Sequence, residues 1–192
     1  MLKYILLGFL NYDSMTGYDL KNIMETTTMH FWHAYHSQIY TTLRKLEETR
    51  LLSSEIESDD DEKEKEKLNR RVYTITEAGR AELKVWLDDA LTSVVPAKED
   101  LLVRMFFSAQ RNRQDVLTEL HIQRQLHQKQ LESYQEIRTH LVRSPFSIDQ
   151  IAEDIQADVP FWSSTLQFGI AYERMYLQWL EDTILWLEER SK

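Results

Sequence analysis

Cysteine is absent from the 192 residues. That excludes disulfides and thiolate-bound metals, and it permits a reducing compartment. Glycine occurs four times and proline three times, too little turn chemistry for an alternation of many short strands, so long helices are expected. No apolar run approaches the roughly 20 residues that a membrane-spanning helix needs. The opening MLKYILLGFLNYD also lacks a small-residue cleavage pattern, so a cytoplasmic chain is expected. Net positive charge is missing as well. At −9 the chain is unsuited to coating nucleic acid regardless of sequence, although a compact DNA-reading module depends on local charge. There is no glycine-rich phosphate loop, no H-E-x-x-H and no nucleophile elbow. Acid pairs such as Asp88–Asp89 fall on the polar face of a helix. Neither catalysis nor a cofactor is expected.

What remains is helical periodicity. With 42% hydrophobic and 29% charged residues, the chain has the composition of a folded domain with a core. Leu2, Ile5, Leu6, Phe9 and Leu10 fall at helical spacing. Thr16 followed by Asp19 predicts an N-cap and capping box for GYDLKNIM, with Leu20, Ile23 and Met24 inward. Ser37 is the expected cap of SQIYTTLRKLEETRLL, whose inner stripe runs Ile39, Leu43, Leu46, Arg50. Gln38, Thr41, Thr42 and Lys45 then face outward, a small polar and cationic surface that can lie in a major groove.

Two β-prone runs, LLSSEIES and RRVYTIT, flank the charged tip DDDEKEKEKLN and predict a hairpin. Thr76 caps a further helix with the stripe Leu83, Trp86, Leu87, Ala90, Leu91 and Val94. Three helices, a two-stranded wing and a closing helix are the order of a winged helix-turn-helix module. Pro96 marks a boundary, giving residues 1–95 as the DNA-binding domain and 96–192 as a three-helix domain. The expected helices of the second domain are KEDLLVRMFFSAQ, RQDVLTELHIQRQLHQKQLESYQEIRTHLV and a segment from Pro160 to Glu189, joined by the irregular RSPFSIDQIAEDIQADVP. In the second of these, Arg124, His127 and Arg138 interrupt a stripe of Leu117, Leu120, Leu131, Tyr134 and Leu141. The last is apolar on more than one face, so a helical dimer is expected. An intramolecular bundle is the simpler alternative.

The stretch HFWHAYHSQIY, residues 30–40, holds three histidines and four aromatics. A metal centre would bring together three or four ligands with carboxylates behind them. No cysteine or acid lies among His30, His33 and His36, so no metal is expected. The favoured reading has Phe31 and Trp32 packing the turn on the core, His30 and His33 at the surface, and His36 at the helix entrance.

The stretches LKYILLGFL, TGYDL, FWHAYHSQIYTTLRKLEE and RRVYTITEAGRAEL, with EDLLVRMFFSAQ and YLQWLEDTI beyond them, resemble the PadR family of bacterial transcriptional regulators over nearly the whole chain. The resemblance implies a winged helix followed by a helical dimerisation domain, and a homodimer on a pseudo-palindromic operator. The F-W-x-x-x-H-S-Q-I-Y pattern is similar to that of phenolic-acid-responsive repressors, and nearly as close to virulence-gene activators. Two features depart from the pattern: Thr41 stands where relatives often carry proline, and the wing tip is acidic. The DNA face is expected to comprise Ser37, Gln38, Tyr40, Thr41, Arg44 and Lys45, with Lys63, Lys65, Lys67, Arg70 and Arg71 as wing cations. Tyr40 could equally be core, and the wing run could be only a solvated hairpin. By resemblance, His36 couples an effector to the reading helix. A small aromatic acid would need flat apolar walls and a polar group, for which Tyr18, Trp32, His36, Phe106 and Trp162 are the candidates. The resulting reading is an operator-binding repressor released by such an acid. The alternatives are a ligand-independent regulator or activator, or an adaptor that binds protein through its C-terminal helices.

Overall fold

The computed structural model describes residues 1–32, 34–57, 70–94, 98–141 and 156–189. The chain is mainly helical and divides into two compact units, Met1–Ser93 and Val94–Lys192. Among the described residues no helix is long and apolar enough to cross a membrane.

The first unit runs α1 (Leu2–Tyr12), β1 (Met15–Thr16), α2 (Gly17–Thr27), α3 (His36–Glu48), β2 (Leu52–Glu57), β3 (Arg70–Ile75) and α4 (Glu77–Asp88). Its core is built from the inner faces of three helices: Leu6, Leu7 and Leu10 of α1, Leu20 and Met24 of α2, and Ile39, Leu43 and Leu46 of α3. Leu52, Tyr73, Ile75 and Leu83 close it from the sheet and α4. The hairpin pairs Leu52 with Ile75 through to Glu57 with Arg70. The two expected wing strands gain a third, because Met15 and Thr16 pair with Tyr73 and Val72. Two residues carry no period, so this strand left no sequence signal.

The Thr16 capping box forms as its spacing predicts: the Asp19 amide donates to Thr16 Oγ1 at 3.1 Å, and the Thr16 amide to Asp19 Oδ2 at 3.1 Å. Thr76 caps α4 by accepting the Gly79 N–H at 3.1 Å, while its amide donates to the Leu51 carbonyl at 3.1 Å. That second bond ties the start of α4 to the end of α3. Gly79 is required at this crossing, because a Cβ there would collide with the Leu51 carbonyl oxygen and lie 2.8 Å from Ile75 Cγ1. Backbone on one side and a core side chain on the other leave nothing cheap to move. Gly79→Ala is therefore expected to cost about 1–3 kcal/mol, read as a lowered midpoint in urea unfolding.

Two expectations about helix ends are corrected. Arg50 does not continue the inner stripe of α3. It is exposed, with φ 60, beyond a helix that stops at Glu48. The Leu51 amide donates to the Leu46 carbonyl and the Arg50 amide to the Glu47 carbonyl, both at 2.9 Å, a Schellman stop with arginine in the left-handed position usually held by glycine. Likewise α4 ends at Asp88, because Asp89 takes extended backbone. Leu83 is buried and Trp86 half-buried, stacked on Tyr4 at 4.3 Å, but Leu87, Ala90, Leu91 and Val94 are exposed, the last two at 94% and 92%.

The second unit comprises α5 (Asp100–Phe106), a 3₁₀ turn (Ser108–Gln110), α6 (Arg113–Leu141) and α7 (Val159–Glu189). The start of α6 meets the end of α7 in a cluster of Leu101, Val116, Leu117, Leu120, Tyr176, Leu180 and Ile184. Leu131, Tyr134, Leu166, Ile170 and Leu177 form a second cluster. Between the two lies a polar pair: His127 Nδ1 stands 2.5 Å from Glu173 Oε2. The connection expected over residues 143–160 lies largely outside the described residues.

Beside that pair, the Tyr172 hydroxyl donates to Glu99 Oε1 at 2.6 Å. Burial, and then the Glu99 and Glu173 carboxylates, push the Tyr176 hydroxyl up to about 12 from its ordinary 10. A raised folded-state value means the folded chain holds this proton more tightly than the unfolded chain. The stability it contributes is complete below pH 10 and is lost as pH rises towards 12. Thermal melts should show a midpoint that falls over this window, and Tyr176→Phe should flatten the fall.

Candidate nucleic-acid interface

Burying one face of helix α3 fixes the direction of the other. Ile39, Leu43 and Leu46 are inside, and Ser37, Gln38, Thr41, Arg44 and Lys45 are all exposed. The structure thus brings these five expected residues onto one surface. Arg44 lies 3.8 Å from Glu48 in an exposed pair, an interaction weak enough to give way to a phosphate.

The helix begins one residue before Ser37, so Ser37 is not its cap. Tyr35 occupies the cap position in extended backbone, and its amide donates to Gln38 Oε1 at 3.0 Å. A glutamine three residues on can reach back to that amide, whereas Ser37 already lies within the first turn. The bond engages Gln38 Oε1 and leaves the NH₂ group of the amide as the donor for another partner.

Tyr40 is neither core nor fully outward. It is 40% exposed, with its ring lying over Gly17 and 4.7 Å from the His36 ring. A Cβ at position 17 would come within 2.6 Å of the ring. The glycine of T-G-Y-D and the tyrosine of H-S-Q-I-Y are therefore one contact, and it sets how closely α2 approaches α3.

The wing is tied to α3 by Glu47, which sequence reasoning overlooked. Ser54 Oγ donates to Glu47 Oε1 at 2.5 Å, and Arg71 Nη1 to Oε2 at 3.0 Å. Arg71 is thus engaged within the module. Arg70 is described by its backbone only, and Lys63, Lys65 and Lys67 lie outside the described residues, as does His33.

Around the turn before α3, two expectations exchange places. Phe31 is exposed, while His30 is half-buried, edge-on to Phe31 at 4.8 Å, and held below its ordinary pKa by burial. Trp32 does pack on the core, and it also lines a hollow of about 410 Å³ with Leu2, Ser37, Gln38, Thr41 and Thr42. Neither Tyr18 nor His36, both exposed, is among the residues lining that hollow. In the second unit Phe106 is 83% exposed and lies edge-on to Phe107, and Trp162 is half-buried near the start of α7. Among the described residues no three His, Asp or Glu side chains converge to hold a metal.

The model of the transcriptional regulator PadR-like family matches residues 6–85, and that of the virulence activator alpha C-terminal region matches residues 97–188. The negative transcriptional regulator PadR of Bacillus subtilis is 27% identical over 191 residues, covering 98% of each chain. Its crystal structure in complex with operator DNA matches at a TM-score of 0.74 and 25% identity, over 97% of this chain and 98% of that one. Its complex with p-coumaric acid matches at 0.67 and 24%, over 97% and 95%. The Vibrio cholerae virulence activator AphA shares the fold at 0.74 and 21% identity, over 99% of both chains.

Proposed function

Because this chain belongs to the PadR-like family of DNA-binding transcriptional regulators, we propose that it is a homodimeric repressor released from its operator by a small aromatic acid. The observation that carries the reading is the exposed row Ser37, Gln38, Thr41, Arg44 and Lys45 above a fully buried opposite face. In a major groove, Gln38 donates its NH₂ to adenine N7 and accepts from N6 with the lone pair of Oε1 that Tyr35 does not use. Thr41 offers its methyl group to thymine, Ser37 meets a phosphate at the helix N-terminus, and Arg44 and Lys45 hold the backbone.

A second copy would supply the matching half-site, one helical turn away. On α7, Phe161, Phe168 and Met175 are exposed at intervals of seven residues, a spacing that keeps them on one face and suits a helix from a partner. The aromatic-acid effector is carried over from the B. subtilis relative, which has been solved with p-coumaric acid. His36, in ring contact with Tyr40 at 4.7 Å, is the group through which such a ligand would disturb α3. The match of residues 97–188 to a virulence-activator region favours a second reading, in which the same module activates transcription.

A mobility-shift assay on the chain's own upstream DNA and on neighbouring promoters, with and without p-coumaric acid, separates these readings. The expected result is a retarded band that the acid abolishes. A band that persists with acid indicates a ligand-independent regulator or activator, and a transcription assay then gives the sign. No band on any promoter leaves the adaptor.

A further inference from the structure

The hollow beside α3 is open to solvent, and the described residues that line it carry no charged side chain: Leu2 and Trp32 supply apolar walls, and Ser37, Gln38, Thr41 and Thr42 the polar floor. Leu2 starts α1 and Trp32 lies in the turn between α2 and α3, and both also pack on the core. Two of the floor residues, Gln38 and Thr41, are ones that the proposed function assigns to bases, and a third, Ser37, to a phosphate.

The lining decides what fits. A small-molecule site encloses most of its ligand, and this hollow is open along one side. The phosphate assigned to Ser37 lies at the helix N-terminus, and among the described residues no lysine or arginine lines the hollow to hold a second one inside it. The occupant is therefore the edge of a larger, largely uncharged group, presented to the outward face of α3. In a major groove the apolar feature displayed on base edges is the C5-methyl of thymine.

We propose that Leu2 and Trp32 are specificity-determining residues, and that the hollow they form with α3 receives a thymine methyl in each half-site. The reading surface then extends past α3 to the first turn of α1 and to the turn that carries F-W. This rests on the reading in which α3 enters the major groove, and the test separates the two.

The experiment uses the full chain and a duplex spanning the footprint it gives on its own upstream DNA. Each thymine is replaced in turn, in both half-sites, by deoxyuridine, which removes only the methyl. For the wild type, one position should weaken binding by about three- to tenfold. Leu2→Gln and Trp32→Ala should each bind the thymine and deoxyuridine duplexes equally at that position. Leu2→Gln carries the test if circular dichroism shows Trp32→Ala to be unfolded. A methyl dependence that survives both substitutions and vanishes only in Thr41→Ala overturns the inference, placing the methyl on α3 alone. Loss of release by p-coumaric acid in Leu2→Gln, with the methyl dependence intact, also overturns it and makes the hollow an effector site. If no thymine is sensitive but Gln38→Ala still weakens binding, the inference fails and the α3 reading stands. If Gln38→Ala is also without effect, the α3 reading itself fails.

Discussion

Replacing His127 with alanine is expected to lower the free energy of unfolding by about 3–5 kcal/mol. Glu173 is 6% exposed in the middle of α7, and its carboxylate faces His127 Nδ1 at 2.5 Å. The imidazole is also stacked on Tyr176, with ring centroids 3.9 Å apart at 17°. Truncation removes both the stack and the carboxylate's hydrogen-bond donor, leaving a buried charge with no compensation. Urea unfolding of the single and double variants checks this. Glu173→Gln retains a hydrogen-bonding group and should cost much less, and His127→Leu with Glu173→Leu should be close to neutral, because two apolar groups need no partner. A His127→Ala protein as stable as the wild type would show that the pair does not hold α6 against α7.

Removing residues 96–192 is expected to weaken operator binding by about 10²–10⁴-fold, because two linked reading helices become two independent ones. The first unit contains a core of its own, from Leu6 to Leu83, so the truncated chain should remain folded by circular dichroism and sediment as a monomer. The full chain should sediment as a dimer at micromolar concentration, through the face that carries Phe161, Phe168 and Met175. Undiminished operator affinity in the truncated chain would mean that each module binds alone.

The parts of the fold that sequence made legible are those governed by a period or a cap. Thr16 and Thr76 mark helix starts because a hydroxyl before an apolar repeat has a specific amide to satisfy. The long repeats of α6 and α7 locate both helices to within a residue or two. Helix ends were less legible. The stop of α3 depends on Arg50 in a left-handed conformation that glycine would have announced, and the apolar repeat after Asp88 continues where the helix does not.

The candidate site divides in the same way. The outward face of α3 follows from its inner stripe, since a helix that buries Ile39, Leu43 and Leu46 has little choice about what it exposes. Leu2 reads as a core residue and Trp32 as both core and a pocket candidate beside His36, but no spacing brings these two together, so the hollow they line next to α3 has no signature in the sequence. Glu47 meets Ser54 and Arg71, and His127 meets Glu173, across separate elements. The sole local trace of the second pair was a polar residue interrupting an apolar stripe.

If the outer face of α3 reads base sequence, removing its base contacts must cost operator affinity while contacts to phosphate remain. The direct measurement is a fluorescence-anisotropy titration of an operator duplex and an unrelated duplex of equal length, comparing wild type with Gln38→Ala/Thr41→Ala. Both side chains are exposed, so the fold should be preserved. Operator affinity should fall by about ten- to a thousandfold, with affinity for the unrelated duplex unchanged because Arg44 and Lys45 still meet phosphates. Equal operator affinity in the two proteins would contradict base reading by α3.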